Sequence, residues 1–96
     1  MLNCEEIDAI YLPLPPALHY KWAKKALEKG KHVFLEKPST TCSKDTEILA
    51  SLAKKKHLAL HENYMFIYHS QITKIKELLE QQVIGNLRLI RTSFGF

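Results

Sequence analysis

Three short apolar runs, each cut off by a proline or a polar cluster, are separated by two amphipathic stretches. Ile7-Asp8-Ala9-Ile10-Tyr11-Leu12 stops at Pro13-Leu14-Pro15-Pro16. His32-Val33-Phe34-Leu35 stops at Glu36-Lys37-Pro38, and Leu58-Ala59-Leu60-His61 runs into Glu62-Asn63-Tyr64. Short runs that are apolar at nearly every position suit strands covered on both faces. Proline cannot donate to a ladder, so the first two runs must end where they do. Strand, helix, strand, helix, strand with short connections predicts parallel strands joined by right-handed crossovers, with both helices on one face of the sheet. Val33 and Leu35 then point one way and Phe34 the other, toward a second face that this chain offers little to cover.

The intervening stretches carry helix signals. Pro16 fits a first helical position, where the missing N–H costs nothing. From there a helix is predicted over 16–29, with Leu18, Trp22, Ala23 and Ala26 as its apolar stripe, Lys24, Lys25 and Lys29 in its C-terminal half, and Gly30 as its stop. Ser43 is the expected N-cap of a second helix, with Asp45 and Glu47 in the first turn. Ile48, Leu49, Leu52 and Ala53 form its stripe, and it ends near Lys56. Beyond the third strand, Ile72, Ile75, Leu78 and Leu79 predict a third helix between Ser70 and Gly85. From Asn86 the alternation turns strand-like, with Ile90, Thr92, Phe94 and Phe96 on one face and Arg91 and Ser93 on the other. The change of pattern sets an expected boundary between residues 1–65 and residues 66–96.

Composition narrows the function classes. The 96 residues are 46% hydrophobic with a formal net charge of +4, ordinary for one small globular unit and against disorder. The lysines fall on helix faces and helix ends, where they solvate the surface and complement the helix dipole. Lys54-Lys55-Lys56 is short and has no interleaved aromatics, so no nucleic-acid partner is expected. Cys4 and Cys42 form no CxxC pair, which points to a reducing cytoplasm. An N-terminus bearing Glu5, Glu6 and Asp8 without an apolar h-region is no signal peptide, and no apolar run reaches the ~20 residues a membrane span needs.

In an open parallel sheet, ligands bind outside the carboxyl ends of the strands. Three such ends can be read: Pro13-Leu14-Pro15 with His19 one helical turn further on, Glu36-Lys37-Pro38, and His61-Glu62-Asn63. Parallel strands bring them to one edge. Each residue also has a plainer reading. Lys37 alone is a solvated loop lysine that Glu36 could pair, His19 a partly buried helix residue, Asn63 a turn residue. No metal site is expected, since His61-Glu62 begins an HExxH pattern but Met65 stands where the second histidine belongs. Gly30, Gly85 and Gly95 form no phosphate-cradling turn, so a dinucleotide-binding fold here would be the second half of one.

The run Ala26-Leu27-Glu28-Lys29-Gly30-Lys31-His32-Val33-Phe34-Leu35-Glu36-Lys37-Pro38 resembles the Gfo/Idh/MocA family, NAD(P)-dependent sugar and polyol oxidoreductases. The similarity extends from Asp8-Ala9-Ile10-Tyr11 through His19 to Val83-Ile84-Gly85-Asn86. Tyr11-Leu12-Pro13-Leu14-Pro15 and Glu62-Asn63-Tyr64-Met65-Phe66 look most like the NDP-hexose 3-ketoreductase branch. Ile67 and Ser70 stand where many relatives carry arginine and proline, so any role of that arginine is absent here.

The resemblance implies an α/β fold: the second half of a Rossmann-type parallel sheet, with three strands and two crossover helices, then a helix and the first strand of an α+β substrate domain. It implies NAD or NADP as cofactor, with the pyrophosphate-binding half outside this chain, and a sugar or sugar-nucleotide substrate. Leu12, Pro13, Leu14 and His19 would lie along the cofactor, Glu36 near the nicotinamide ribose, and Asn63 near the nicotinamide. Lys37 would be the catalytic residue beside the reacting carbon, on a Lys37-Pro38 bond that is a candidate cis peptide. A chain of this extent is expected to be inactive alone. The rival expectations are a non-catalytic product or interaction fragment, self-associating through exposed strand edges, and a small basic nucleic-acid binder.

Overall fold

The computed structural model describes residues 1–93 and Gly95. Contacts divide the chain into two units, Met1–Tyr64 and Met65–Phe96. The first unit holds β1 (Ala9–Leu12), α1 (Pro16–Glu28), β2 (His32–Glu36), α2 (Ser43–Lys55) and β3 (Leu60–Asn63). The strands form one parallel sheet in the order β1-β2-β3. The predicted alternation and strand direction therefore stand.

Register assigns the faces. Ile10 pairs with Val33 and Leu12 with Leu35, while Val33 pairs with Leu60 and Leu35 with Glu62. These residues face the helices, and the core joins Ile10, Val33 and Leu35 to Ala23, Ala26 and Leu27 of α1 and Leu49 and Ala53 of α2. On the other face Tyr11 pairs with Phe34 and Phe34 with His61. Tyr11 remains 51% and Phe34 37% exposed, so within the first unit the second face is the uncovered one.

Local corrections have local causes. The buried stripe of α1 is His19, Ala23, Ala26 and Leu27, one position round from the expected one. Leu18 is 40% exposed, and Trp22 lies under the Lys25 ammonium, 4.9 Å from its ring centroid. Small Ala23 and Ala26 let the helix approach the sheet, and the lysine covers the indole instead. In α2 the N-cap is Cys42, in extended conformation and with no side-chain cap bond; Ser43 is the first helical residue. The third strand begins two residues later than expected. Leu58 N–H donates to Ala53 O at 2.9 Å, which ties Leu58 to the helix end and leaves Leu60 as the first ladder partner.

Both helices end in the same motif. After α1, Gly30 N–H donates to Leu27 O and Lys31 N–H to Ala26 O, both at 3.0 Å, with Gly30 at φ 76°. After α2, His57 N–H donates to Lys54 O while His57 itself sits at φ 55°. This is the left-handed closure in which the last carbonyls find donors.

The second unit has a 3-10 turn (Met65–Tyr68) and α3 (Ser70–Glu80). His69 caps α3, its Nδ1 accepting from Gln71 N–H at 3.1 Å. None of its described residues is buried. Residues 87–93 join no sheet, because a strand exists only through a ladder partner and none is present among the described residues. The expected placing of Phe94 and Phe96 lies outside the described residues.

Candidate functional site

The carboxyl ends of β1, β2 and β3 lie side by side, as parallel pairing requires. Glu36 pairs with Asn63 in the ladder and shares the uncovered face with Tyr11. Its Oε1 accepts from the Tyr11 hydroxyl at 2.7 Å and from the Asn63 amide at 2.8 Å. One carboxylate thus spans all three strands. The Tyr11 hydroxyl first, then the Asn63 amide and the Lys37 backbone N–H and charge, hold the Glu36 carboxyl below the usual carboxylate range, against a smaller opposing effect of desolvation. The same bond pushes the Tyr11 phenol above its ordinary value, since Glu36 accepts its proton.

Lys37 follows at once, exposed. The Lys37-Pro38 peptide is cis. The pairing with Glu36 that the plain reading offered does not form: among the described residues the one ion pair is Lys74–Glu77, at 3.0 Å.

The next peptide unit, Pro38–Ser39, is held at both ends from the helix side. His19 Nδ1 lies 2.9 Å from Pro38 O. Ser39 N–H donates to Glu62 Oε1 at 2.7 Å. His19 Nε2 lies 2.7 Å from Leu14 O, so this fully buried imidazole sits between the loop after β1 and the loop after β2. Both neighbours are carbonyl acceptors, and a neutral ring has one N–H to donate, to whichever of them its tautomer faces. It presents neither nitrogen outward. Beyond the corner, Thr40 Oγ1 lies 2.6 Å from Cys42 O, to which it donates. That orders the neighbouring hydroxyls: Thr46 donates to Thr40 at 2.7 Å, and Ser39 to Thr46 at 3.2 Å.

The sequence-derived residues divide accordingly. Glu36, Lys37 and Asn63 meet at one edge, with Pro13 and Leu14 on the adjoining loop. Leu12 shares the helix-facing side of the sheet with Leu35, and His19 is enclosed beneath the loops. Tyr11 has no site role in the sequence reading, and Glu62 enters it only as part of the third strand end. Strand parity alone places Tyr11 opposite Leu12 and Glu62 opposite Asn63, but their partners depend on a register that sequence leaves open.

The polar groups fit the ribose end of a dinucleotide. Glu36 Oε2 makes no side-chain hydrogen bond among the described residues and can accept from a sugar hydroxyl, and the Lys37 ammonium adds a nearby cation. The loop after β1 is Pro13-Leu14-Pro15, with no glycine to let a pyrophosphate approach the backbone. No group of three or more potential metal ligands occurs among the described residues. Among them, too, no helix is long and apolar enough to cross a membrane.

Comparison with known proteins identifies the family. Relatives include the dTDP-3,4-didehydro-2,6-dideoxy-alpha-D-glucose 3-reductases of Saccharopolyspora spinosa, 46% identical over 99% of this chain and 29% of that protein, and of Streptomyces violaceoruber, 44% identical over 98% and 28%. A 3-ketoreductase from Actinomadura kijaniata, solved with NADP and TDP-benzene, superposes with a TM-score of 0.82 at 42% identity, covering 88% of this chain and 26% of that one. The chain therefore spans less than a third of the length of these relatives. The family described as "Oxidoreductase family, NAD-binding Rossmann fold" matches residues 1–64, and with that match the chain belongs to the Gfo/Idh/MocA oxidoreductases.

Proposed function

We propose that this chain supplies the nicotinamide-side part of a hydride-transfer site acting on a sugar-nucleotide ketone, with Lys37 as the catalytic residue. The observation that carries the reading is the three-strand convergence on Glu36, which sets a carboxylate, an amide and the following lysine on one edge. The named relatives supply the substrate class. Residues 1–65 serve the dinucleotide, and residues 66–96 begin the part that holds substrate, in the cytoplasm.

Glu36 and Asn63 would hold the nicotinamide riboside, with Pro13 and Leu14 along it. Bound there, the nicotinamide supplies or takes the hydride. When a carbonyl carbon gains hydride, charge develops on its oxygen, and the Lys37 ammonium stabilises that charge or donates the proton. His19 acts from behind, joining the two loops.

The test is a chimera in which this chain replaces the matching segment of the Saccharopolyspora spinosa reductase. NADPH-dependent turnover is expected, and Lys37→Ala in the chimera lowers kcat by about 100-fold or more. A chimera that binds NADPH normally but is indifferent to Lys37→Ala overturns the reading. The chain alone, lacking a phosphate cradle, is expected to show no micromolar NADPH binding by calorimetry.

A second reading rests on the outer edge of β1, which has no ladder neighbour among the described residues, beside the exposed Tyr11 and Phe34. It is self-association through that edge and face.

A further inference from the structure

We propose that Glu62 is a positioning residue for Lys37, locking the Pro38–Ser39 peptide plane so that the lysine is carried on a fixed corner. This inference rests on the reading of Lys37 as the reacting amine.

A peptide unit has one donor and one acceptor, and gripping both fixes the orientation of its plane. At Pro38–Ser39 the two grips come from different elements. The carbonyl oxygen of Pro38 meets His19 Nδ1 from α1 at 2.9 Å. The N–H of Ser39 donates to Glu62 Oε1, from the end of β3, at 2.7 Å. Glu62 is the stronger grip, because a carboxylate accepting from a backbone N–H makes a charge-assisted bond, whereas His19 holds Pro38 O only with its one N–H on Nδ1. On the other side of Lys37, the Glu36 side chain is fixed by Tyr11 and Asn63. Lys37 thus lies between two anchored residues while its own ammonium remains unbonded among the described residues. That combination suits a group that must meet a reacting atom: rigid base, free tip.

Glu62 has no other assigned task. Its register partner is Leu35, so it sits on the helix side, away from the face that Glu36 and Asn63 share. It takes part in no ion pair among the described residues. A half-buried carboxylate with no cationic partner, spent on one loop amide, marks that amide as the thing being held.

The 96-residue chain is suited to NMR. In the native protein, the Lys37 and Ser39 amides are expected to be as ordered as β2, with order parameters near 0.85; values below about 0.6 at either amide overturn the proposal. Glu62→Ala is expected to speed Ser39 amide exchange roughly tenfold or more and to lower the order at Lys37, while Val33 and Leu35 keep their protection. Glu62→Gln, which retains an acceptor oxygen, restores most of the protection. Unchanged Ser39 exchange in Glu62→Ala, or faster exchange without loss of order at Lys37, refutes the role. Should Glu62→Ala fail to fold, the native order parameters and the Glu62→Gln exchange rates decide alone. If instead Lys37 is not the reacting amine, Lys37→Ala leaves chimera turnover intact and Ser39 exchange unaltered, so the two failures are distinct.

Discussion

Glu36 shows how one side chain is tuned by its neighbours across a sheet. Tyr11 is its largest influence, so Tyr11→Phe is expected to move the Glu36 carboxyl up toward the ordinary glutamate value of about 4.3. Carboxyl carbon shifts followed through a pH titration read this directly, and an unmoved midpoint refutes the assignment. A carboxyl lowered on folding stabilises the fold above its ordinary range and loses that contribution as pH falls through the folded value. A phenol raised on folding, as Tyr11 is, stabilises below about 10 and loses it as pH rises through the folded value. The stability difference between native protein and Tyr11→Phe is therefore expected to be widest at neutral pH and to shrink on both sides. Tyr11 is exposed and Glu36 only half-buried, so solvent keeps the effect small.

At the scale of elements, the helix ends repeat one solution with unequal residues. Gly30 adopts its left-handed conformation freely, whereas His57, at φ 55°, pays the Cβ clash. His57→Gly is expected to stabilise the first unit by about 1 kcal/mol, read as a rise in Tm. No gain would mean that the imidazole offsets the backbone cost. Proline placement, the Gly30 stop and the alternation made these elements legible from sequence. The first helix was still read one position off, since periodicity treats Trp22 as core, and only the structure shows a lysine covering it. The strand expected from Asn86 was legible as a pattern but not as a structure, because alternation records a capacity to pair and not the presence of a partner.

At the scale of the molecule, the first unit's own helices finish its sheet on one face only. Ile10, Val33 and Leu35 are buried under α1 and α2, while Tyr11 and Phe34 stay exposed, next to a β1 edge with no neighbour among the described residues. If the chain self-associates through this surface, size-exclusion chromatography is expected to show elution that shifts with protein concentration. Phe34→Arg is then expected to return it to monomer, since a cation on the sheet face cannot be buried unpaired. A concentration-independent monomer removes the self-association reading.

The sequence by itself determined the parallel order of strands and helices, the breaks at Pro13 and Pro38, and the lysine at the end of the middle strand. These follow from local rules: the period of apolar residues, the missing proline N–H and the short connections. It also carried the family run around Lys37. Only the tertiary structure decided which groups meet: Tyr11 and Asn63 on one carboxylate, and His19 and Glu62 on one peptide unit. Those pairs lie 19 to 27 positions apart in sequence, and strand register, which brings them together, is set by packing between elements rather than by any local signal.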